Sequence, residues 1–240
     1  MITEKYYGEI IDVLKKIKDT QKEKIASAAD MISEVIVNDG IIYVFGCGHS
    51  HLIALDTFYR AGGLANVSAM LDTDLMLHNG AAKSSKMEKM SGIASSIFER
   101  YDIKANDAII VVSTSGKNAV PVEMALEARK NNIKTISIVS SAYFEDKKAE
   151  PMLYQCSDIF VDNCVVHGDA TLDIAGANTK MGSISTIASS FVIQSILMEG
   201  AALAAKSHAL PPIYMSGNID GGEEYNKELI RRYLPRIKHL

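Results

Sequence analysis

Short apolar runs alternate along this chain with segments of helical periodicity, and this order constrains the fold more than any other feature. The run IIYVF at 41–45 has no polar alternation, which is typical of a strand covered on both faces. Further strands are predicted at 66–71, 108–113, 135–139 and 158–161, with helices at 52–59 and 120–131. The alternation predicts an α/β fold: a three-layer sandwich with a mainly parallel five-stranded sheet flanked by helices.

The two ends of the chain frame this core. Apolar residues at helical spacing over 2–38 predict two N-terminal helices as a lead-in. We expect a single domain over 1–240, long enough to bury a substantial core. Its predicted parts are the N-terminal helices (1–38), the α/β core (41–206) and a C-terminal turn and helix (207–240).

Composition narrows the class of protein. With 48% hydrophobic residues and a formal net charge of −4, the chain is typical of a globular protein and lacks the basic surface that general nucleic-acid binding requires. Three widely spaced cysteines favour reduced thiols over a disulfide framework, and residues 1–16 lack the order of a secretory signal. We therefore expect a cytoplasmic protein that binds no nucleic acid.

One uncharged run, 181–198, is close to the minimum length for a membrane span. Its Ser, Thr and Gln content, with Glu199 just after it, favours a helix buried in the core or at a subunit interface. We expect no membrane association. Together with the N-terminal helices, this long apolar stretch predicts a homodimer or a higher homo-oligomer.

Two small-residue turns follow predicted strands: GCGHS at 46–50 and STSGKN at 113–118. A turn of this kind exposes backbone N–H groups at the positive end of a helix and adds hydroxyl donors, which favours a phosphate. Either turn alone could be a tight connection whose serines satisfy local backbone groups. Because ligands bind at the carboxyl ends of parallel strands, two such turns together favour one anionic ligand.

Other phosphate motifs fit less well. No GxxxxGK[ST] sequence is present, which argues against a P-loop nucleotide triphosphatase. A dinucleotide-binding fold remains a rival, since GCGHSH begins as GxGxx and Asp72 ends the second predicted strand. Against it, His51 stands where the third glycine belongs.

The two turns resemble the signature turns of the sugar isomerase (SIS) domain, which binds phosphosugars. The segments 59–63 (YRAGG), 84–90 (SSKMEKM), 116–129 (GKNAVPVEMALEAR) and 218–226 (NIDGGEEYN) resemble, more narrowly, the bacterial UPF0309 group of SIS-domain proteins. The resemblance implies a set of phosphate contacts: Ser50, Ser113, Thr114, Ser115 and Asn118. Asn118 departs from the threonine frequent there, although its amide can still donate with a longer reach.

Aldose–ketose isomerisation needs a group that moves a proton between adjacent carbons. Glu88 is the leading candidate base, although an ion pair with Lys86 or Lys89 would equally explain it. His78 and His167 follow predicted strands and are candidate acids or bases at the carboxyl edge. Each could instead be a structural or exposed histidine.

Cys47, His49 and His51 alternate as CxHxH, which could in principle gather a soft divalent metal. Because this spacing is too tight for a regular strand or helix to converge all three, we expect Gly48, His49 and His51 to shape a sugar pocket, with no metal and no cofactor. The tail YMSGNIDGGEEYN at 214–226 could cover a pocket, but a helix cap built around Asp220 is favoured.

The function hypothesis is a phosphosugar-binding protein that isomerises a sugar phosphate by acid–base proton transfer. Lyases, etherases and deglycases of the same fold remain alternatives, as does a non-catalytic sugar-phosphate sensor. A sugar carrying another anion, such as a sulfonate, would suit the same neutral donors.

Overall fold

A five-stranded parallel sheet forms the centre of the protein, with the strand order β2-β1-β3-β4-β5. The computed structural model describes residues 1–146 and 151–240. The strands of the sheet are β1 (Ile42–Gly46), β2 (Val67–Met70), β3 (Ala108–Val112), β4 (Lys134–Val139) and β5 (Ile159–Asp162). All four pairings are parallel, which confirms the predicted fold class.

Helices cover both faces of the sheet. Their bounds are α1 (Ile2–Thr20), α2 (Lys22–Val37), α3 (His51–Thr57), α4 (Ala81–Met87), α5 (Ile93–Phe98), α6 (Ala119–Lys130), α7 (Leu153–Cys156), α8 (Ser185–Lys206) and α9 (Gly222–Tyr233). Helices α2, α3 and α8 share a buried apolar cluster with one face of the sheet, and α5, α6 and α7 share a second cluster with the other.

Strand β1 shows why the core has two halves. Ile42 and Val44 belong to the first cluster, whereas Tyr43 and Phe45 belong to the second. Because successive side chains of a strand point to opposite faces, an uninterrupted apolar run serves both layers at once. The prediction of a strand covered on both faces is confirmed by the burial of every residue in β1.

The uncharged run 181–198 divides between two elements. Its first residues form β7 (Met181–Ser183), which pairs antiparallel with β6 (Ala170–Leu172), and the helix starts only at Ser185. Helix α8 is long and apolar enough to cross a membrane, but half of its most apolar stretch is buried inside the protein. This burial is what a core helix shows, since Val192, Ile193 and Ile196 are fully enclosed.

Other boundaries differ from expectation in small ways. The β6–β7 hairpin was not predicted; it rests on α1, where the Tyr6 hydroxyl donates to the Ser183 carbonyl at 2.6 Å. The predicted cap around Asp220 is wrong: α9 begins after Gly221, whose φ is +79°, and no side chain caps the helix. The first turn of α9 instead carries Glu223 and Glu224, which suit a helix N-terminus.

The C-terminal segment is fastened to the sheet by a buried ion pair. Asp107 lies directly before β3, and its carboxylate accepts from the Ile41 N–H at 2.7 Å and the Lys104 N–H at 2.6 Å. Arg236 donates to the same carboxylate at 2.6 Å, with the Asp107 side chain fully enclosed. This single carboxylate therefore joins the starts of two strands to the C-terminal end of the chain.

Candidate functional site at the ends of strands β1 and β3

Strands β1 and β3 are neighbours, but the helices that follow them pack on opposite faces of the sheet. Helix α3 joins the first apolar cluster and α6 joins the second. A crevice opens at the carboxyl ends of such strands because their two connections diverge. The two small-residue turns occupy this crevice.

The first turn depends on its glycines. Gly46 has no room for a side chain, since a Cβ there would lie 2.5 Å from the Ser50 carbonyl oxygen. Gly48 has φ +56°, a left-handed conformation that glycine adopts without strain. The turn leaves the Gly48 and His49 N–H groups without an acceptor among residues 1–146 and 151–240, so both can face a ligand.

The second turn repeats this construction. Gly116 has φ +60°, and its N–H donates to the Ser113 hydroxyl at 3.2 Å, which closes the turn on itself. The N–H groups of Thr114 and Ser115 find no acceptor within the described parts of the chain. Successive unpaired N–H groups in a turn form an anion-binding concavity.

The two turns meet at one small cavity. Its lining residues are His49, Ser50, Ile53, Thr114, Ser185, Thr186 and Ser189. Ser50 of the first turn and Thr114 of the second therefore line the same cavity, although Ser115 is not among the lining residues. The third wall is the start of α8, whose first two turns contribute the hydroxyl side chains of Ser185, Thr186 and Ser189.

Neutral donors dominate this cavity. No lysine or arginine is among its lining residues in the described part of the protein. Asp169 already accepts hydrogen bonds from the start of α8. Its Oδ1 accepts from the Ile184 and Ser185 N–H groups at 3.0 and 2.8 Å, and its Oδ2 accepts from the Ser185 hydroxyl at 2.6 Å. An anion here would thus rely on hydroxyls and on the N–H groups of the two turns.

Glu88 lies on the other side of the second turn. It is the C-cap residue of α4, and its Oε1 accepts from the Asn118 side-chain amide at 2.8 Å. Asn118 is the N-cap residue of α6, yet its side chain makes no capping bond. The structure therefore joins a predicted phosphate contact to the predicted base.

Partial burial changes the proton affinity of Glu88. Desolvation raises the pKa of its carboxyl group, and the nearby charge of Lys89 lowers that pKa by less. Among the described residues no salt bridge within 4.0 Å joins Glu88 to Lys86 or Lys89, and Glu88 Oε1 contacts the Asn118 amide instead.

The histidines divide between two places. His78 is exposed and lies against the buried His51, with ring centroids 6.1 Å apart, so it borders the first turn. The His51 Nδ1 is hydrogen-bonded to the Gly48 carbonyl oxygen. His167 lies elsewhere, against Tyr143, with a centroid separation of 4.3 Å and an angle of 31° between the ring planes.

His167 belongs to an outer cluster beside the second turn. Its Nε2 is 3.7 Å from Asp146, which also pairs with Lys117 at 2.8 Å. The hydrogen bond from Lys117 is the largest cause lowering the pKa of Asp146. The structure thus groups Glu88 with Asn118 and His78 with His51, while His167 is not brought to either pair.

The CxHxH segment does not converge. Cys47 is buried, and desolvation, followed by the charges of Glu88 and Asp72, raises the pKa of its thiol. His49 lines the cavity, whereas the His51 ring is held at the Gly48 carbonyl. Across residues 1–146 and 151–240, no group of three or more His, Cys, Asp or Glu side chains is arranged to hold a metal ion.

Sequence reasoning missed several residues of this site. Asn163 follows β5 and is fully buried between Thr114 and Ser189. Its position directly after a strand was a usable signal, because all carboxyl strand ends share one edge. The Ser and Thr content of the run 181–198 was interpreted only as a sign of a buried helix, so Ser185, Thr186 and Ser189 were not predicted as site residues.

The fold and the paired turns define a class, and comparison with known proteins agrees with it. Residues 5–140 match the SIS domain. The chain belongs to the SIS-domain proteins. Within them it belongs to the UPF0309 group: it is 40% identical over 242 residues to a UPF0309 protein of Caldanaerobacter subterraneus subsp. tengcongensis, covering 98% of both chains. A UPF0309 protein of Geobacillus thermodenitrificans is 38% identical, covering 99% of this chain and 97% of the relative.

Solved structures share the fold at low sequence identity. A phosphoheptose isomerase from Neisseria gonorrhoeae superposes with a TM-score of 0.55 at 16% identity, covering 85% of this chain and all of the other. A protein of Escherichia coli CFT073, solved in complex with a phosphosugar, gives a TM-score of 0.51 at 14% identity, covering 87% of this chain and 90% of the other. These similarities confirm the predicted SIS-like architecture.

Proposed function

We propose that the protein binds a phosphorylated sugar between its two glycine–hydroxyl turns and isomerises it. The observation that carries this proposal is the shared cavity of Ser50 and Thr114, two hydroxyls from distant parts of the sequence. His49 and Thr114, whose backbone N–H groups have no acceptor in the described parts of the chain, line the cavity and can donate to the same oxyanion. The E. coli neighbour in complex with a phosphosugar supports a ligand of this class.

Glu88 is the proposed base that moves the proton between adjacent carbons. A carboxyl group whose pKa is raised by burial holds its proton more readily at neutral pH, so it can both accept and return one during the reaction. The Asn118 amide holds one carboxylate oxygen in place at 2.8 Å. The other oxygen remains the candidate acceptor of the substrate proton.

Asn118 connects binding to chemistry in this proposal. It begins α6 directly after the turn that holds Thr114, and it contacts Glu88 through its side chain. A second link runs through the backbone, where the Val120 N–H donates to the Glu88 carbonyl at 3.1 Å. A phosphate fixed at the second turn would thereby be held at a defined distance from the base.

Isomerase activity is tested by proton exchange. The purified protein is incubated in heavy water with hexose, amino-sugar and heptose phosphates, and deuterium entry at C2 is followed by NMR. We expect exchange with at least one of them, because an enediolate route removes that proton. Binding without exchange or product would contradict an isomerase and favour a non-catalytic sensor.

The phosphate site is tested by Ser50→Ala. Loss of one hydrogen bond to a charged group is expected to cost roughly 1.5–3 kcal/mol, which weakens phosphate binding about 10- to 150-fold. Isothermal titration with the same sugar phosphate measures the effect.

Ser137→Ala is the matched control, because the Ser137 hydroxyl is buried in β4 with no hydrogen-bond partner in the described part of the chain. Its ligand affinity should equal that of the wild type. Equal affinity in both variants would contradict the assignment of Ser50.

We also propose a homodimer or larger homo-oligomer. A stripe along α8 leaves Ile187, Phe191 and Met198 partly exposed, and Leu52 and Leu55 of α3 extend the same apolar character. A second copy would cover this apolar surface, which monomers rarely leave open.

Light scattering should therefore give a mass of at least two chains, and Met198→Glu should lower it. Leu126→Glu on the opposite layer serves as the control, because it places the same charge on α6. A stable wild-type monomer would contradict the proposal.

The three buried, unpaired cysteines are compatible with the cytoplasmic setting that we also propose.

A further inference from the structure

Asn163 is a fully buried amide behind the wall of the cavity. It lies directly after β5, and its backbone N–H donates to the Val139 carbonyl at 2.7 Å. Its side-chain Nδ2 donates to two hydroxyls, that of Thr114 at 3.2 Å and that of Ser189 at 3.1 Å. Both hydroxyls line the cavity, so one amide contacts two of its walls.

The orientation of this amide is fixed by its other end. The Val165 N–H donates to the Asn163 Oδ1 at 3.3 Å. A backbone N–H can only donate, so the oxygen must face Val165 and the NH₂ group must face the two hydroxyls. A rotated amide would set donor against donor at Val165.

This orientation dictates the direction of both hydroxyl protons. A hydroxyl has one hydrogen to donate, and the Thr114 and Ser189 oxygens are already acceptors toward Asn163. Neither hydroxyl donates to another protein group within the parts of the chain that the structure describes. Their hydrogens are therefore free for whatever occupies the cavity, so both hydroxyls can act as donors there.

We propose that Asn163 is a positioning residue that makes Thr114 and Ser189 donors toward the ligand, and that Ser189 of α8 is a further contact of the ligand's oxyanion. The inference rests on the proposed anion site and adds to it a selection rule. A pair of hydroxyls held as donors favours an ionised oxyanion, rich in acceptors, over a group that must itself donate, such as an ammonium or an amide N–H.

Asn163→Asp tests the inference because it preserves shape and reverses polarity. An ionised aspartate would accept hydrogen bonds from both hydroxyls and turn their protons away from the cavity. With inorganic phosphate as the probe and ³¹P NMR titration as the readout, we expect Asn163→Asp to bind at least about tenfold more weakly than the wild type. Ser189→Ala should weaken binding by about tenfold as well.

A double-mutant cycle separates positioning from simple structural support. If Asn163 acts through Ser189, adding Ser189→Ala to Asn163→Asp should weaken phosphate binding less than the two separate losses combined. Thermal midpoints without ligand are measured in parallel. A merely structural amide would lower the midpoint and leave the phosphate affinity of the folded protein unchanged, which would overturn the inference.

Should Asn163→Asp fail to fold, Asn163→Ala carries the same cycle with Ser189→Ala, and strictly additive losses would overturn the inference. Wild-type protein that binds phosphate, combined with variants that bind equally well, would overturn the inference alone. Wild-type protein that binds neither phosphate nor any sugar phosphate would overturn the proposed function, and the role of Asn163 with it.

Discussion

Glu88→Gln is expected to lower the rate of proton exchange at C2 of the substrate by about 10²–10⁴-fold, the usual contribution of a positioned general base. Glutamine keeps the shape of the side chain and an oxygen that can accept from the Asn118 amide. Sugar-phosphate binding should therefore survive while proton transfer is lost. Exchange rates from NMR and affinities from titration calorimetry measure the two effects separately.

Glu127→Gln is the matched control for this prediction. Glu127 lies on α6, the helix that Asn118 begins, and it pairs with Lys130 at 3.4 Å outside the cavity. The Glu127→Gln variant should exchange the substrate proton at C2 at the wild-type rate. Wild-type exchange in Glu88→Gln would remove Glu88 from the mechanism and leave His78 as the next candidate beside the first turn.

Glu88→Gln is also expected to change how the stability of the protein depends on pH. Burial raises the pKa of Glu88 in the folded protein above its unfolded value. Below the unfolded pKa both states are protonated, so glutamate and glutamine should be equally compatible with folding. As pH rises past that value the unfolded state releases its proton first, which costs the folded wild type stability until the folded pKa is passed. Urea unfolding should thus show Glu88→Gln gaining on the wild type from acid toward neutral pH.

Asp107→Ala is expected to destabilise the protein by about 3–5 kcal/mol, the loss typical of breaking a buried ion pair from one side. The variant removes the acceptor of two backbone N–H groups, those of Ile41 and Lys104. It also takes the shortest carboxylate contact from the largely buried Arg236 guanidinium, which keeps the Asp102 carbonyl at 3.0 Å and the Asp102 carboxylate at 3.8 Å. Urea denaturation at neutral pH gives the free energy of unfolding.

Lys227→Ala serves as a comparison, because it breaks an exposed pair with Glu224 in which solvent screens both charges. Its unfolding curve should overlay that of the wild type. If Asp107→Ala unfolded at the wild-type midpoint, the C-terminal segment would not be fastened through this carboxylate.

The fold was predictable because local pattern and tertiary environment agree. The runs IIYVF and AIIVV are apolar on both faces, and both became strands buried on both faces. The two turns were predictable from their glycines, because Gly48 and Gly116 occupy conformations that other residues adopt only with strain. The family resemblance then named the class of ligand.

The rest of the site depends on contacts between distant segments. Nothing near Glu88 in sequence points to Asn118, because the contact forms when two loops meet at the crevice. Asn163 acquires its orientation from Val165, and its hydroxyl partners come from the turn after β3 and from α8. The β6–β7 hairpin carries too few residues for periodicity to reveal it. These contacts join residues that are far apart in the sequence, so local sequence patterns do not predict them. They form because the fold brings the segments together.

The shared cavity draws its walls from the turn after β1, the turn after β3 and the start of α8. No short fragment of the chain contains this set, so the site requires β1, β3 and α8 to be in place together. We expect a molecule held there to bind the folded state in preference to partly folded forms, which links its occupancy to global unfolding. Saturation should consequently slow amide hydrogen exchange in the central strands as well as in the turns that touch the ligand.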